Sequence, residues 1–176
     1  MTKVKNSYRA YSGIGARNTP EEILDEMAEV AAELQEVGFI LRTGGALGAD
    51  DAFLSGITDE SMCELYLPWQ GYNGFQSKHY KQSAAAIEQA FLHHPNWGAC
   101  KESVRKLHSR NSHIVLGADC HSPSEFILCY TEGGKAGGGT GQAIRIADSN
   151  LIQVFDYGLG IDYTTSQLQQ WMEKNL

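Results

Sequence analysis

Short apolar runs alternate with stretches of helical periodicity along the whole chain. The short runs predict strands, and they are Tyr8–Ile14, Phe39–Thr43, Cys63–Leu67, Glu125–Thr131 and Leu151–Phe155. Apolar residues at helical spacing predict helices, and these are Pro20–Val37, a segment through Ala52–Leu54, Lys78–Leu92, Lys101–His113, Gly141–Ser149 and Thr165–Lys174. Regular alternation of the two predicts an α/β fold, a Rossmann-like doubly wound parallel sheet flanked by helices.

The first helix has recognisable boundary signals. Thr19 can cap its start, Pro20 suits a first helical position, and Glu21 and Glu22 stand near the positive end of the helix dipole. Gly38 is placed to end the same helix. His93–Ala99 predicts a loop inside the domain.

Length and composition are those of one globular domain. The 176 residues, of which 42% are apolar and 20% charged, are enough to bury one core, so we expect a single domain over residues 1–176. A net charge of -7 argues against a broad basic surface for nucleic acid, but a small phosphate ligand needs no such surface.

The four cysteines form no CxxC pair and no zinc-type cluster, so we expect reduced thiols and no metal site. We also expect no cofactor. The N-terminal residues lack the apolar core of a signal peptide, and no stretch has the length of a membrane span. These features predict a cytoplasmic protein with no membrane partner.

Three predicted strand-to-helix junctions are rich in glycine, at residues 12–17, 43–50 and 131–142. In a parallel sheet these junctions share the carboxyl edge, where they can converge on one ligand. Glycine permits close backbone approach, and each following helix offers free N–H groups, so an anion such as phosphate is favoured. The alternative for any single loop is that its glycines only make a tight turn.

Neither a Walker motif nor a strict GxGxxG with a downstream acid is present, which argues against a standard ATPase or dinucleotide oxidoreductase. The chain resembles the SLOG superfamily in GIGARNTP (13–20), RTGGALGADDAF (42–53), LPW (67–69), SRN (109–111) and GGGTGQAIRIA (137–147). That superfamily groups LOG-type phosphoribohydrolases, the Rossmann-like domain of DNA-processing protein A (Smf) and YspA/YpsA-related proteins. The resemblance implies a nucleotide or nucleotide-derived ligand, which some members cleave and others only bind.

The late glycine loop bears on catalysis. Hydrolytic LOG members carry PGGxGTxxE, whose final acid acts at the ribose, whereas alignment on the glycines and Thr140 puts Gln142 or Ala143 at that place here. An amide cannot take a proton or offset oxocarbenium charge as a carboxylate does. Gln142 can still hydrogen-bond a ribose or phosphate.

Other candidate groups stand beside the loops. Asp50 is the best candidate for a catalytic base or a ribose acceptor, with a helix-start acid as the alternative. Arg17 and Arg110 are candidate phosphate clamps, or else surface arginines. Pro68 and Trp69 can stack on a base or close the pocket, or else form a satellite apolar cluster. The six histidines form no nucleophilic pattern, and we expect ordinary surface or core residues.

The sequence therefore predicts a site made by the glycine loops and their neighbours. Its expected members are Gly13, Gly15, Ala16, Arg17, Thr43, Gly44, Gly45, Gly48, Asp50, Pro68, Trp69, Arg110, Asn111, Gly137, Gly138, Gly139, Thr140 and Gln142. The expected function is to sense or sequester a nucleotide signal, such as one used in bacterial or phage defence. A LOG-like N-glycoside hydrolase and a single-stranded DNA binder are the alternatives, the acidic balance counting against the last. Homo-oligomerisation is left open.

Overall fold

The structure, a computed structural model, describes residues 8–176 and consists of a parallel sheet between two layers of helices. The strands are β1 (Arg9–Gly15), β2 (Phe39–Thr43), β3 (Cys63–Leu65), β4 (Phe126–Tyr130) and β5 (Gln153–Asp156). The α-helices are α1 (Glu21–Glu36), α2 (Ala49–Ser55), α3 (Ala84–Leu92), α4 (Glu102–Leu116), α5 (Gly138–Ser149) and α6 (Ile161–Asn175). The Rossmann-like α/β prediction is confirmed.

The strand order is β3-β2-β1-β4-β5, with every neighbouring pair parallel. The chain runs outward from β1 through β2 to β3 and then returns to the other side of β1. The order therefore reverses between β1 and β4, and the connections after these two strands separate at their carboxyl ends. Such a switch point leaves a crevice, which is the usual ligand site of open α/β sheets.

Side-chain alternation along β1 divides the core into two parts. Tyr11 belongs to the cluster formed with α1, α2 and α6, where its ring stacks on Phe126 at 5.5 Å. Ile14 belongs to the opposite cluster, with residues of α4 and α5. Ser12 also faces that second side and donates a hydrogen bond to the Ile114 carbonyl at 2.8 Å. The period of two in β1 thus gives each helical layer its own apolar surface.

The glycines of β1 lie on the α2 side of the sheet. A Cβ at Gly13 would come within 2.7 Å of the Phe53 ring, and one at Gly15 within 2.6 Å of the Ala49 Cβ. Both are therefore required for α2 to pack directly on the strand, in addition to any part they play at the site.

Several predicted boundaries differ from the structure. The helix predicted over Lys78–Leu92 begins only at Ala84, because Ser83 caps it through the Ala86 N–H. Before that point His79 forms a parallel bridge with Tyr66, so the segment is extended. Three other helices are longer than predicted, since α4 continues to Leu116, α5 begins at Gly138 and α6 begins at Ile161.

The predicted cap of α1 is wrong. Pro20 occupies the N-cap position and no side chain caps the helix, while the Thr19 hydroxyl donates to the Ala16 carbonyl at 2.6 Å. Thr19 therefore closes the turn after β1 instead of the helix start. Gly38 does stand at the end of α1 as predicted, directly after the C-cap residue Val37. Its φ is +91°, and its N–H donates to the Gln35 carbonyl.

Among residues 8–176, no helix is both long enough and apolar enough to cross a membrane.

We predict that Gly15→Ala lowers the free energy of unfolding by about 1–3 kcal/mol, the usual range for overpacking, because the added methyl overlaps Ala49. Gly98→Ala is the control, since a Cβ at Gly98 meets nothing within 4 Å. Urea denaturation followed by circular dichroism measures both. Equal stability of the two variants would show that α2 does not need this close approach.

Candidate functional site

A cavity of about 430 Å³ opens at the switch point between β1 and β4. Its walls come from the connections after these strands, from α4 and from the start of α5. Ten of the predicted site residues line it, namely Gly15, Ala16, Arg17, Asp50, Arg110, Asn111, Gly137, Gly138, Gly139 and Thr140. The first and third of the three glycine loops thus meet at one cavity.

The second glycine loop lies mostly behind this cavity. Thr43 is buried and its hydroxyl donates to the Gly13 carbonyl at 2.7 Å. Gly45 has φ at +66° and packs against the Phe75 ring, and Gly48 has φ at +89°. A Cβ at Gly48 would approach the Arg17 carbonyl to 2.7 Å, so this glycine lets the second loop support the first.

Asp50 holds the second loop together from the start of α2. One carboxylate oxygen accepts hydrogen bonds from the N–H groups of Gly44 at 3.1 Å and Ala46 at 3.3 Å. Burial raises the pKa of Asp50, and the Arg110 charge and the backbone donors oppose that rise. This carboxylate borders the cavity, but its hydrogen bonds are directed to the loop.

Arg110 approaches the same loop from α4. Its guanidinium donates to the carbonyls of Gly44 and Tyr66, and it lies over the Tyr72 ring at 5.6 Å. Burial lowers the pKa of Arg110, while the negative charge of Asp50 raises it. A Cβ on Gly44 would overlap both the Arg110 guanidinium and the Asp50 carboxylate. Gly44 therefore has to be a glycine for the two charges to close around it.

The third glycine loop faces open space. Gly137 is the N-cap of α5 with an extended backbone, φ at -142°, and no side chain caps this helix. A Cβ at Gly137 or Gly138 would meet no atom within 4 Å. The first N–H groups of a helix have no intrahelical partners, so those of α5 can serve a bound anion at this wall of the cavity.

The mouth of the cavity carries charges of both signs. Arg17 is exposed on the first loop, and Lys135 stands on the connection that leads to α5. Glu132 is exposed nearby and accepts a long hydrogen bond of 3.4 Å from Asn18. Within residues 8–176, no three His, Cys, Asp or Glu side chains are arranged to hold a metal ion.

Gln142 lies beneath the cavity wall and does not line it. It is fully buried, and its Oε1 pairs with His108 Nδ1 at 3.0 Å and accepts from Asn111 at 3.3 Å. Among the described residues its Nε2 has no hydrogen-bond partner. Gln142 therefore positions two residues of the cavity wall, and the ribose contact expected of it would have to be made through them.

His108 is a cavity residue that sequence reasoning missed. Because Gln142 Oε1 is an acceptor, the proton of the neutral ring belongs on Nδ1, which leaves Nε2 as an acceptor. Burial lowers the pKa of His108, so the neutral ring dominates at pH 7. The available signal was helical spacing, since His108 and Asn111 stand three residues apart on α4 and share a face.

Pro68 and Trp69 line a different cavity, on the far side of α4. Trp69 meets Tyr72 edge to face at 5.2 Å, and it is Tyr72 that borders the switch-point cavity. The stacking predicted for Pro68 and Trp69 is therefore not placed at this cavity, and Tyr72 borders it as a buried ring with Arg110 over one face.

In comparisons with known proteins, no family model, no curated protein and no solved structure matches this chain.

We predict that Asp50→Asn lowers the free energy of unfolding by about 3 kcal/mol, because it leaves the buried Arg110 without its opposing charge. Asp51→Asn is the matched control, since the neighbouring carboxylate is exposed. Chemical denaturation measures the free energy of unfolding of both proteins. If Asp50→Asn is no less stable than Asp51→Asn, the buried charge does not depend on this carboxylate.

Proposed function

We propose that the protein binds a nucleotide or nucleotide-derived phosphate at the switch-point cavity and acts as a sensor or sequestering protein. The observation that carries the proposal is the open N-terminus of α5, which faces a cavity that also borders Arg17 and Lys135. Backbone N–H groups, a helix dipole and two cations together form an environment suited to phosphate oxygens. The resemblance to the SLOG superfamily agrees with this proposal.

The remaining walls suit the rest of a nucleotide. Val104 and Leu107 of α4 and Ile14 of β1 provide apolar surface for a base. His108 lines the same space, and its Nε2 is an acceptor suited to a sugar hydroxyl, whereas the amide of Asn111 is engaged by Arg110, Gly139 and Gln142. The cavity volume of about 430 Å³ falls in the range of small-molecule sites.

Hydrolysis of the bound ligand is a second candidate, and Glu132 is the observation that favours it. This carboxylate lines the cavity, whereas Asp50 is engaged by the second loop and Gln142 is an amide beneath the wall. Incubation with AMP and chromatography of the products separates the two functions. Base release that is lost in Glu132→Gln would support hydrolysis, while AMP that binds by calorimetry and stays intact supports binding without cleavage.

We predict that Gly137→Val weakens AMP binding at least tenfold, because a branched side chain would occupy open space beside the α5 N-terminus. Its extended backbone accepts any residue, so the fold should be retained. Gly98→Val is the matched control, since Gly98 is equally open and does not line this cavity. Calorimetric titration and circular dichroism test the pair. A folded Gly137→Val protein with parental affinity would remove the α5 terminus from the site.

We also predict that Arg17→Ala weakens AMP binding by about 1.5–3 kcal/mol, the range for a hydrogen bond to a charged group, and that Arg17→Lys restores part of it. Lys174→Ala controls for the loss of one positive charge, since Lys174 is exposed on α6. Titrations at several salt concentrations should give a shallow slope, as expected for one or two phosphates. Equal affinity of Arg17→Ala and Lys174→Ala would place Arg17 outside the site.

A further inference from the structure

A second groove, of about 710 Å³, lies between the segment after β3 and the outer face of α4. It shares no lining residue with the switch-point cavity. Val104, His108 and Asn111 of α4 face the switch-point cavity, whereas Arg105, Lys106 and Ser109 face the groove. The two spaces therefore lie on opposite sides of one helix.

Three aromatic side chains line this groove, namely Trp69, Tyr80 and Trp97. Trp69 is 38% exposed even though its edge packs against Tyr72. A large apolar ring left this open inside a concave surface offers a stacking face to a planar ligand.

Three basic side chains stand among these rings. The Arg105 guanidinium lies over Trp97 at 5.4 Å, and the Lys81 ammonium lies over Tyr80 at 5.7 Å. The third is Lys106, which pairs with Glu102 at 3.2 Å on the solvent side.

Glu102 is also the acidic residue of this lining, so the groove carries a net positive charge in a protein whose net charge is -7. That local excess favours a negatively charged ligand over a neutral or cationic one.

Arg105 has hydrogen-bonding capacity that the protein does not use. Its terminal nitrogen donates to the carbonyls of Trp97 at 3.2 Å and Gly98 at 3.4 Å, which fixes the side chain in the groove. Its Nε is buried and has no partner among the described residues. A buried donor without a partner is unfavourable, but this atom is closed to solvent, so a ligand would reach it only after the side chain moves.

We propose that this groove is a second binding site, for a planar aromatic ring that carries an anionic group. The ring stacks on Trp69, and the anion is held by Arg105 and Lys81. The same chemistry is offered by a nucleoside phosphate and by an aromatic carboxylate. The proposal is independent of the function proposed for the switch-point cavity, because the residues concerned are different.

The test uses the Gly137→Val protein, in which the switch-point cavity is obstructed, and two pairs of probes. AMP is compared with adenosine, and benzoate with benzamide, by calorimetry and by saturation-transfer NMR. We expect at least one anion to bind and its neutral counterpart to bind about tenfold more weakly. Binding of AMP alone identifies the nucleoside phosphate as the source of the ligand, and binding of benzoate identifies the aromatic acid.

Two substitutions assign any binding to the groove. Trp69→Leu and Lys81→Gln should each weaken binding of the anion about tenfold, whereas Lys174→Gln, which also removes an exposed positive charge, should not. Lys81 is exposed, so its replacement leaves the fold intact even if Trp69→Leu disturbs it.

Tryptophan fluorescence gives a further readout for AMP. Trp69 and Trp97 line the groove, while Trp171 packs on Phe126 in the core at 4.8 Å. Quenching that persists unchanged in Lys81→Gln, equal binding of the neutral probes, or no binding of either anion overturns the proposal. Failure of AMP to bind the parental protein, with benzoate still bound at the groove, would instead refute only the function proposed for the switch-point cavity.

Discussion

The candidate site depends on two buried opposite charges that close around one glycine. Asp50 comes from α2 and Arg110 from α4, which lie on opposite faces of the sheet, and both approach Gly44 after β2. Asp50 binds the N–H groups of the loop, and Arg110 binds its carbonyl. Because both side chains bond the same loop, they tie the two helical layers together at the carboxyl edge, and removal of either charge would leave the other buried without its opposing charge.

The glycines near the site fall into two classes that cannot be distinguished in the sequence. Gly13, Gly15, Gly44 and Gly48 are sites where a Cβ would overlap another atom, so they allow strands, loops and α2 to approach one another. Gly137 and Gly138 face open space at the start of α5. The first class supports the cavity, mostly from behind its wall, and the second leaves room beside it, a combination that suits a preorganised anion site.

The fold could be predicted because the strands are short buried runs and the helices have strong periodicity, both of which are local signals. The start of α3 could not, because Lys78–Ser83 contains residues compatible with a helix and is held extended by the bridge between Tyr66 and His79. At the site, the loops could be placed at one edge from topology alone. The hydrogen bonds of Asp50 and the position of His108 depend on long-range packing, so they cannot be predicted from a single sequence.

Polar residues that are neighbours along α4 have different structural roles. Residues 108–113 are buried on every side, because α3, α5 and the sheet surround this part of the helix. Most polar side chains there have a partner, as Asn111 has Gln142 and Arg110 has the second loop, whereas the Ser112 hydroxyl has none among the described residues. One turn earlier, Arg105 is only half buried and lines the groove, where its terminal nitrogen donates to the Trp97 and Gly98 carbonyls. The depth of burial along one helix therefore separates the polar residues that hold the switch-point cavity in shape from those that line the groove on its other face.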